Sequence, residues 1–197
     1  MKKNLLILCV LSILCNYDAF SSHAAGMDIT YKYVGPQNAT TNLQYEITLA
    51  FYYDCKNGNV SAPNNFDIKY QKISGGSITT VTLLQVGPPT NVTDVCSNIT
   101  DPCNAGLSYA YEKYLYIGVI TLPSKDSWKI WNDPLCCRNS TTYGTWGADD
   151  LCVVAQINNQ TYFSSSPTFS YDPVSFLCTG GDCFFNGSTD IDNDNIT

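Results

Sequence analysis

The residues with the most chemistry in them are the cysteines. The chain has ten, against a single histidine, His23. Cys9 and Cys15 fall in an apolar N-terminal stretch, which leaves Cys55, Cys96, Cys103, Cys136, Cys137, Cys152, Cys178 and Cys183 for the remainder. Thiols in such number either pair as disulfides or bind metal as thiolates. Metal sites use closely spaced cysteine pairs, often with histidine. This chain has no C-x-x-C and no histidine after position 23, so the eight read as a disulfide framework. Without imidazole, the body of the chain also lacks the commonest general base and nucleophile activator.

Connectivity does not follow from sequence, since eight cysteines allow 105 pairings. Short loops rank some of them. Cys96 and Cys103 are close enough in sequence to close one loop, and Cys178 and Cys183, around Gly180 and Gly181, another. Cys136 and Cys137 are consecutive. Their α-carbons are about 3.8 Å apart, below the disulfide range of about 4.4–6.8 Å. Each is therefore expected to bond elsewhere, one to Cys152 and the other to Cys55.

Other side chains offer weaker chemistry. Asp190, Asp192 and Asp194 alternate as carboxylates do in calcium loops. The glycine and later glutamate of a complete EF-hand do not follow them, and a solvated acidic tail is the plainer reading. Tyr109, Tyr111, Tyr114 and Tyr116, with Trp128, Trp131 and Trp146, could form an aromatic platform for sugars, or simply pack a sheet. Asp149 and Asp150 could be imagined as hydrolase carboxylates. Adjacent residues rarely face one another across a substrate, and turn solvation explains them better. Arg138 is expected to pair with a carboxylate and lock its loop. Eight N-x-S/T sequons, at Asn38, Asn59, Asn91, Asn98, Asn139, Asn159, Asn186 and Asn195, reflect a chain rich in Asn and Thr.

The elements that must position these groups begin after a leader. Lys2 and Lys3 precede the apolar residues 5–14, and small residues follow at 21–25. That is the order of a secretory signal, here residues 1–25. The apolar run is shorter than the ~20 residues a bilayer requires, and no later run is long enough, so no transmembrane segment is expected. About 170 residues then remain, one ordinary domain, taken as 26–187 with an acidic tail or the start of a following domain at 188–197. Ten basic residues stand against 17 acidic, net -7, which argues against a nucleic-acid partner.

Apolar and polar residues alternate with the period of strands. Residues 27–34, 43–55, 66–73, 77–86, 109–122, 128–131, 151–157, 162–163 and 169–177 read as strands or strand systems. Gly75 and Gly76 mark a turn between two of them, and Pro173 marks an edge or bulge. No apolar pattern holds helical spacing over three turns. The predicted fold is all-β, a disulfide-stapled antiparallel β-sandwich, immunoglobulin-like or related.

The motifs carry a resemblance as well. GMDITYKYVG, followed by YEITLAFYYDCKNG with Tyr45, Thr48, Leu49, Tyr53, Asp54, Cys55 and Gly58 in place, resembles the N-terminal region of very large secreted surface proteins of Bacteroidetes. The resemblance continues through Tyr114, Tyr116, Gly118, Ile120 to Pro123, Trp128, and the sequence Cys136-Cys137-Arg138-Asn139. It goes on through Ala155, Ile157, Asn158, Asn159, Ser165, Ser166, Pro167 and Phe169 to Cys178 and the Asp190/Asp192/Asp194 exit. The family's arginine is replaced by Tyr52 or Tyr53. Ser124 and Lys125 stand where a cysteine usually precedes "D-W", Cys152 is an apparent extra, and Asn193 stands near a glycine of the exit motif.

The resemblance implies a β-rich region of a secreted or cell-surface protein, not an enzyme. In that family polycystic-kidney-disease-type or immunoglobulin-like repeats and a gliding-motility-associated sorting domain commonly follow, and export is usually by the type IX system. The expected function is a non-catalytic extracellular module with a structural or adhesive role. Its partners would be the other domains of the same protein, or an extracellular glycan or protein ligand. It needs no cofactor, calcium at the aspartates aside. The alternatives are a carbohydrate-binding module using exposed Tyr and Trp and, third, a secreted glycoside hydrolase. With no sorting domain before Thr197, the sequence is expected to be a fragment of a longer protein or to leave the cell by another route.

Overall fold

A computed structural model describes residues 24–35, 42–56, 61–93, 99–107, 110–123, 125–133, 135–139, 148–161, 163–169, 172 and 187–192, with 135–139 and 148–150 as backbone alone. Residues 1–23 of the predicted leader, with Cys9, Cys15 and His23, lie outside them, as do Cys96, Cys178, Cys183, Tyr109, Trp146 and Asp194, whereas its last two residues, Ala24 and Ala25, open the first described strand.

The described secondary structure is entirely β. The twelve strands are β1 Ala24–Gly35, β2 Leu43–Asp54, β3 Asn65–Lys72, β4 Thr79–Gln85, β5 Thr90–Asn91, β6 Tyr111–Leu122, β7 Ser127–Asn132, β8 Leu135–Asn139, β9 Ala148–Leu151, β10 Val154–Asn158, β11 Thr168–Phe169 and β12 Ser188–Thr189. The main sheet runs β1-β2-β6-β4-β3-β7-β10, with β5 also on β6; β8-β9 and β11-β12 are separate ribbons. Every pairing is antiparallel.

The main sheet is two layers joined at a narrow seam. β2 and β6 pair along twelve residues each, from Leu43 opposite Leu122 to Asp54 opposite Tyr111. β4 meets β6 only at Leu84–Ile117 and Gln85–Tyr116. The strands part there, and β4-β3-β7-β10 packs against β1-β2-β6 as a sandwich. Phe66 of β3 lies 5.4 Å from Phe51 of β2 and 4.8 Å from Tyr116 of β6, ring centre to ring centre. One apolar cluster fills the interior, drawing Tyr45, Ile47 and Leu49 from β2, Ile120 from β6, and Ile68, Leu83, Ile130 and Ile157 from the second layer.

The predicted alternation in β2 is realised: Tyr45, Ile47, Leu49 and Phe51 are all buried. Gly75 and Gly76 take φ of 104° and 124° in the turn between β3 and β4, a region only glycine enters freely. At the seam Gly118 has a different duty. A Cβ there would sit 2.6 Å from Leu83 Cδ2, so the layers approach this closely only because the position is bare.

Two sequence expectations need correction. The system at 151–157 is two strands, β9 and β10, broken at Cys152 and Val153. There the chain is held by side-chain bonds to Asn132 in place of a ladder. Phe163 lies in no strand; it stacks on Tyr33 at 5.0 Å. Of the strand expected at 169–177 only two residues are described: Phe169 lies in β11 and Asp172 in no strand, while 170–171 and 173–177 lie outside the described residues.

Candidate binding surface

The polar groups of the first layer serve to join segments. β1 is an edge strand, and edges expose unpaired N–H and C=O groups. Ser166 donates its N–H to Tyr31 O at 2.8 Å. Its Oγ accepts from Tyr31 N at 2.9 Å, and Ser165 Oγ accepts from Tyr33 N at 3.2 Å. Ser165 N–H in turn donates to Asp192 Oδ2, and Asp190 Oδ1 accepts from Asp192 N at 2.7 Å. Both described members of the predicted calcium triplet thus accept backbone N–H bonds: Asp192 holds the tail against the segment covering β1, and Asp190 closes a turn within the tail. Tyr31 beneath them is held above its ordinary pKa, by burial first and then by the negative charge of Asp190 and Asp192.

On the outward side of the same layer, Tyr52 of β2 lies opposite Lys113 of β6. The Tyr52 hydroxyl donates to Asp28 Oδ2 at 3.1 Å and lies 3.4 Å from Asp172 Oδ1, which also takes the Lys113 ammonium at 2.6 Å. Burial, with the two carboxylates, pushes the Tyr52 pKa far up, so its proton stays in place. Asp28, Tyr52, Lys113 and Asp172 form a closed set that ties residue 172 to β1, β2 and β6.

Sulfur closes the end of this layer. Cys55 is bonded to Cys103, with α-carbons 5.5 Å apart and a sequence separation of 48. This corrects both rankings that involved these residues: Cys103 does not close the short loop with Cys96, and Cys55 bonds neither Cys136, Cys137 nor Cys152. The cause is topological. Cys55 leaves β2 beside the entry to β6, where its N–H donates to Ala110 O at 3.0 Å, and this brings the 99–107 segment to its side. Glu112 lies near both sulfurs, but sulfurs bonded to each other are not thiolate ligands. Cys152 is exposed and bonds no described sulfur. Cys136 and Cys137 lie in β8, at the register shift between Leu135 and Arg138, and Asp149 and Asp150 lie in the facing β9.

Buried amides hold the second layer. Asn132 is 2% exposed. It donates to Asp133 O at 2.7 Å and Leu151 O at 3.2 Å, and accepts from Val153 N at 2.7 Å. Asn159, also buried, accepts from Asp126 N at 2.8 Å and donates to Pro123 O at 3.0 Å. Its amide is committed, so this sequon is a structural clip. Lys72 pairs with Asp126 at 2.7 Å and holds that carboxyl below its ordinary pKa.

The described tyrosines of the predicted platform do not share one exposed face. Tyr111 pairs with Asp54 while Tyr114 and Tyr116 pair with Phe51 and Leu49, which puts Tyr111 on the opposite face from the other two. Tyr116 is core, fully buried, and donates to Pro63 O at 2.6 Å. Tyr114 donates to Glu112 at 2.9 Å and stands edge-on to Tyr53. Trp128 is also core.

Trp131 is different. Three residues from Trp128, it takes the other face of β7 and is half-buried. Register places Lys69 of β3 and Val154 of β10 on either side of it. The next row is Gln71, Lys129 and Gln156. Lys129 Nζ stands 5.2 Å from the Trp131 ring centre, and Lys69 pairs with exposed Asp133 at 2.7 Å. Lys129, Val154 and Gln156 are exposed. The row around Trp131 escaped the sequence reading, although alternation along β7 was enough to separate Trp128 from Trp131.

No helix among the described residues is long and apolar enough to cross a membrane. Compared with protein-family models, with curated proteins and with solved structures, the chain finds no match.

Proposed function

We propose that this chain is a non-catalytic extracellular module, the β-sandwich region of an exported surface protein, with a structural or adhesive role. The motif resemblance to large Bacteroidetes surface proteins supplies the cellular setting of the proposal. The observation that carries it is how the reactive side chains are used. Asp28, Asp172 and Asp192 and the Cys55–Cys103 pair all join one chain segment to another. Such a molecule gains from rigidity outside the cell, where disulfides persist.

The test is mass spectrometry of the processed protein recovered from culture medium or cell surface, with and without thiol alkylation. The expected result is a leaderless chain with Cys55 and Cys103 in one cross-linked peptide. A cytoplasmic protein with reduced Cys55 and Cys103, or one holding stoichiometric zinc, would overturn the reading.

A further inference from the structure

The outward face of β3-β7-β10 has the makings of a recognition surface. Of the lysines on or beside the sheets, Lys69, Lys72 and Lys113 each have a carboxylate partner. Lys129 has none among the described residues, yet its ammonium stands over the Trp131 indole. Lys72 is the other ammonium near an indole, and Asp126 already neutralises it. An unpaired cation beside a half-exposed aromatic ring therefore occurs on this face. Exposed Gln156 lies in the row with Lys129, and exposed Val154 directly opposite Trp131.

These parts match one kind of ligand. A flat indole offers an apolar surface to the C–H face of a pyranose ring, an amide serves its hydroxyls, and an ammonium serves a carboxylate. Three strands span about 10 Å and two rows about 7 Å along the strand, room for one or two sugar rings. The chain is acidic overall, net -7, so a carboxylate is drawn here by the local charge of Lys129 and not by the field of the whole chain. A polymer with one carboxylate per ring suits a single free ammonium.

We propose that Trp131, Lys129 and Gln156 bind a uronic-acid polysaccharide. The proposal rests on the adhesive form of the module reading and names its ligand. Affinity electrophoresis of the full chain tests it, with polygalacturonate in the gel and its fully methyl-esterified form as the uncharged counterpart. The wild-type protein is expected to be retarded by polygalacturonate and much less by the ester. Trp131→Ala and Lys129→Glu are each expected to weaken retardation about tenfold. Lys129 is exposed, so its substitution keeps the test open if Trp131→Ala folds poorly.

No retardation of the wild type, equal retardation by the ester, or unchanged retardation of Lys129→Glu overturns the site. Stronger retention by single-stranded DNA than by polygalacturonate also overturns it. Release of reducing ends from the polymer is a separate readout. Cleavage would overturn the non-catalytic reading and leave the site standing, whereas absence of binding removes the site and leaves that reading intact.

Discussion

The two layers share one core but treat their outer sides differently. In β1-β2-β6 even residues on the far side from the core are enclosed: Ala50 and Tyr52 are buried, residues 165 and 166 cover the β1 edge, and Cys103 is bonded to the end of β2. In β3-β7-β10 the equivalent side carries Lys129, Val154 and Gln156 in the open. The first layer is stitched to the rest of the chain, and the second is left displayed. Substitutions should therefore cost stability in the first layer and at the seam, and little on the displayed face.

The largest effect is expected from sulfur. Replacing Cys55 and Cys103 with serine should lower unfolding free energy by about 4 kcal/mol, the loop entropy for their separation, as read from denaturant midpoints. Reductant should reproduce much of that loss in the wild type and add little to the variant. Equal midpoints for the two proteins would break the comparison at its strongest point.

Next comes the seam. Gly118→Val should cost about 1–3 kcal/mol through overpacking against Leu83, since even a Cβ comes within 2.6 Å of Leu83 Cδ2. Shortening Leu83 in the same protein should recover part of it, as a double-mutant cycle would show.

Alkali should act through the first layer. Burial pushes both Tyr45 and Tyr114 up to about 12, and Tyr116 further. A folded pKa raised above the ordinary value near 10 means folding favours the protonated phenol. That stability is complete below about pH 10 and is lost as pH rises through the folded values. Tyrosinate absorbance and loss of structure should therefore appear together, above pH 10. Full tyrosine ionisation in a still-folded protein would contradict the packing described.

Smaller effects sharpen the contrast. Tyr116→Phe forfeits the bond to Pro63 O and should cost about 1 kcal/mol. Tyr45→Phe should be close to neutral, because that buried hydroxyl has no hydrogen-bond partner within bonding geometry among the described residues. On the displayed face, Lys129→Glu and Gln156→Glu should each change stability by less than about 0.5 kcal/mol. A larger loss by thermal denaturation would mean that this face is held as the other is.

Much of the fold was legible because alternation is a local property. β2 was readable from Tyr45, Ile47, Leu49 and Phe51, and the β3–β4 turn from Gly75 and Gly76. The same rule applied to β6 and β7 would have separated Tyr111 from Tyr116 and Trp131 from Trp128; aromatic content obscured it. β5, β8 and β12 were missed. β5 and β12 are two residues long and exist only through their partners, while β8 lies across a register shift from β9.

By itself the sequence determined strand period, turn positions and the absence of helical spacing, since each follows from neighbouring residues along the chain. Only the tertiary structure decided that Cys55 meets Cys103, that Ser165 and Ser166 cover β1, and that Asp192 accepts the Ser165 N–H. These contacts join residues far apart in sequence, and no local preference encodes which strand end comes to lie beside which loop. The Trp131 surface belongs to both: alternation turns the indole outward, and the pairing of β3, β7 and β10 gives it Lys69 and Val154 as neighbours.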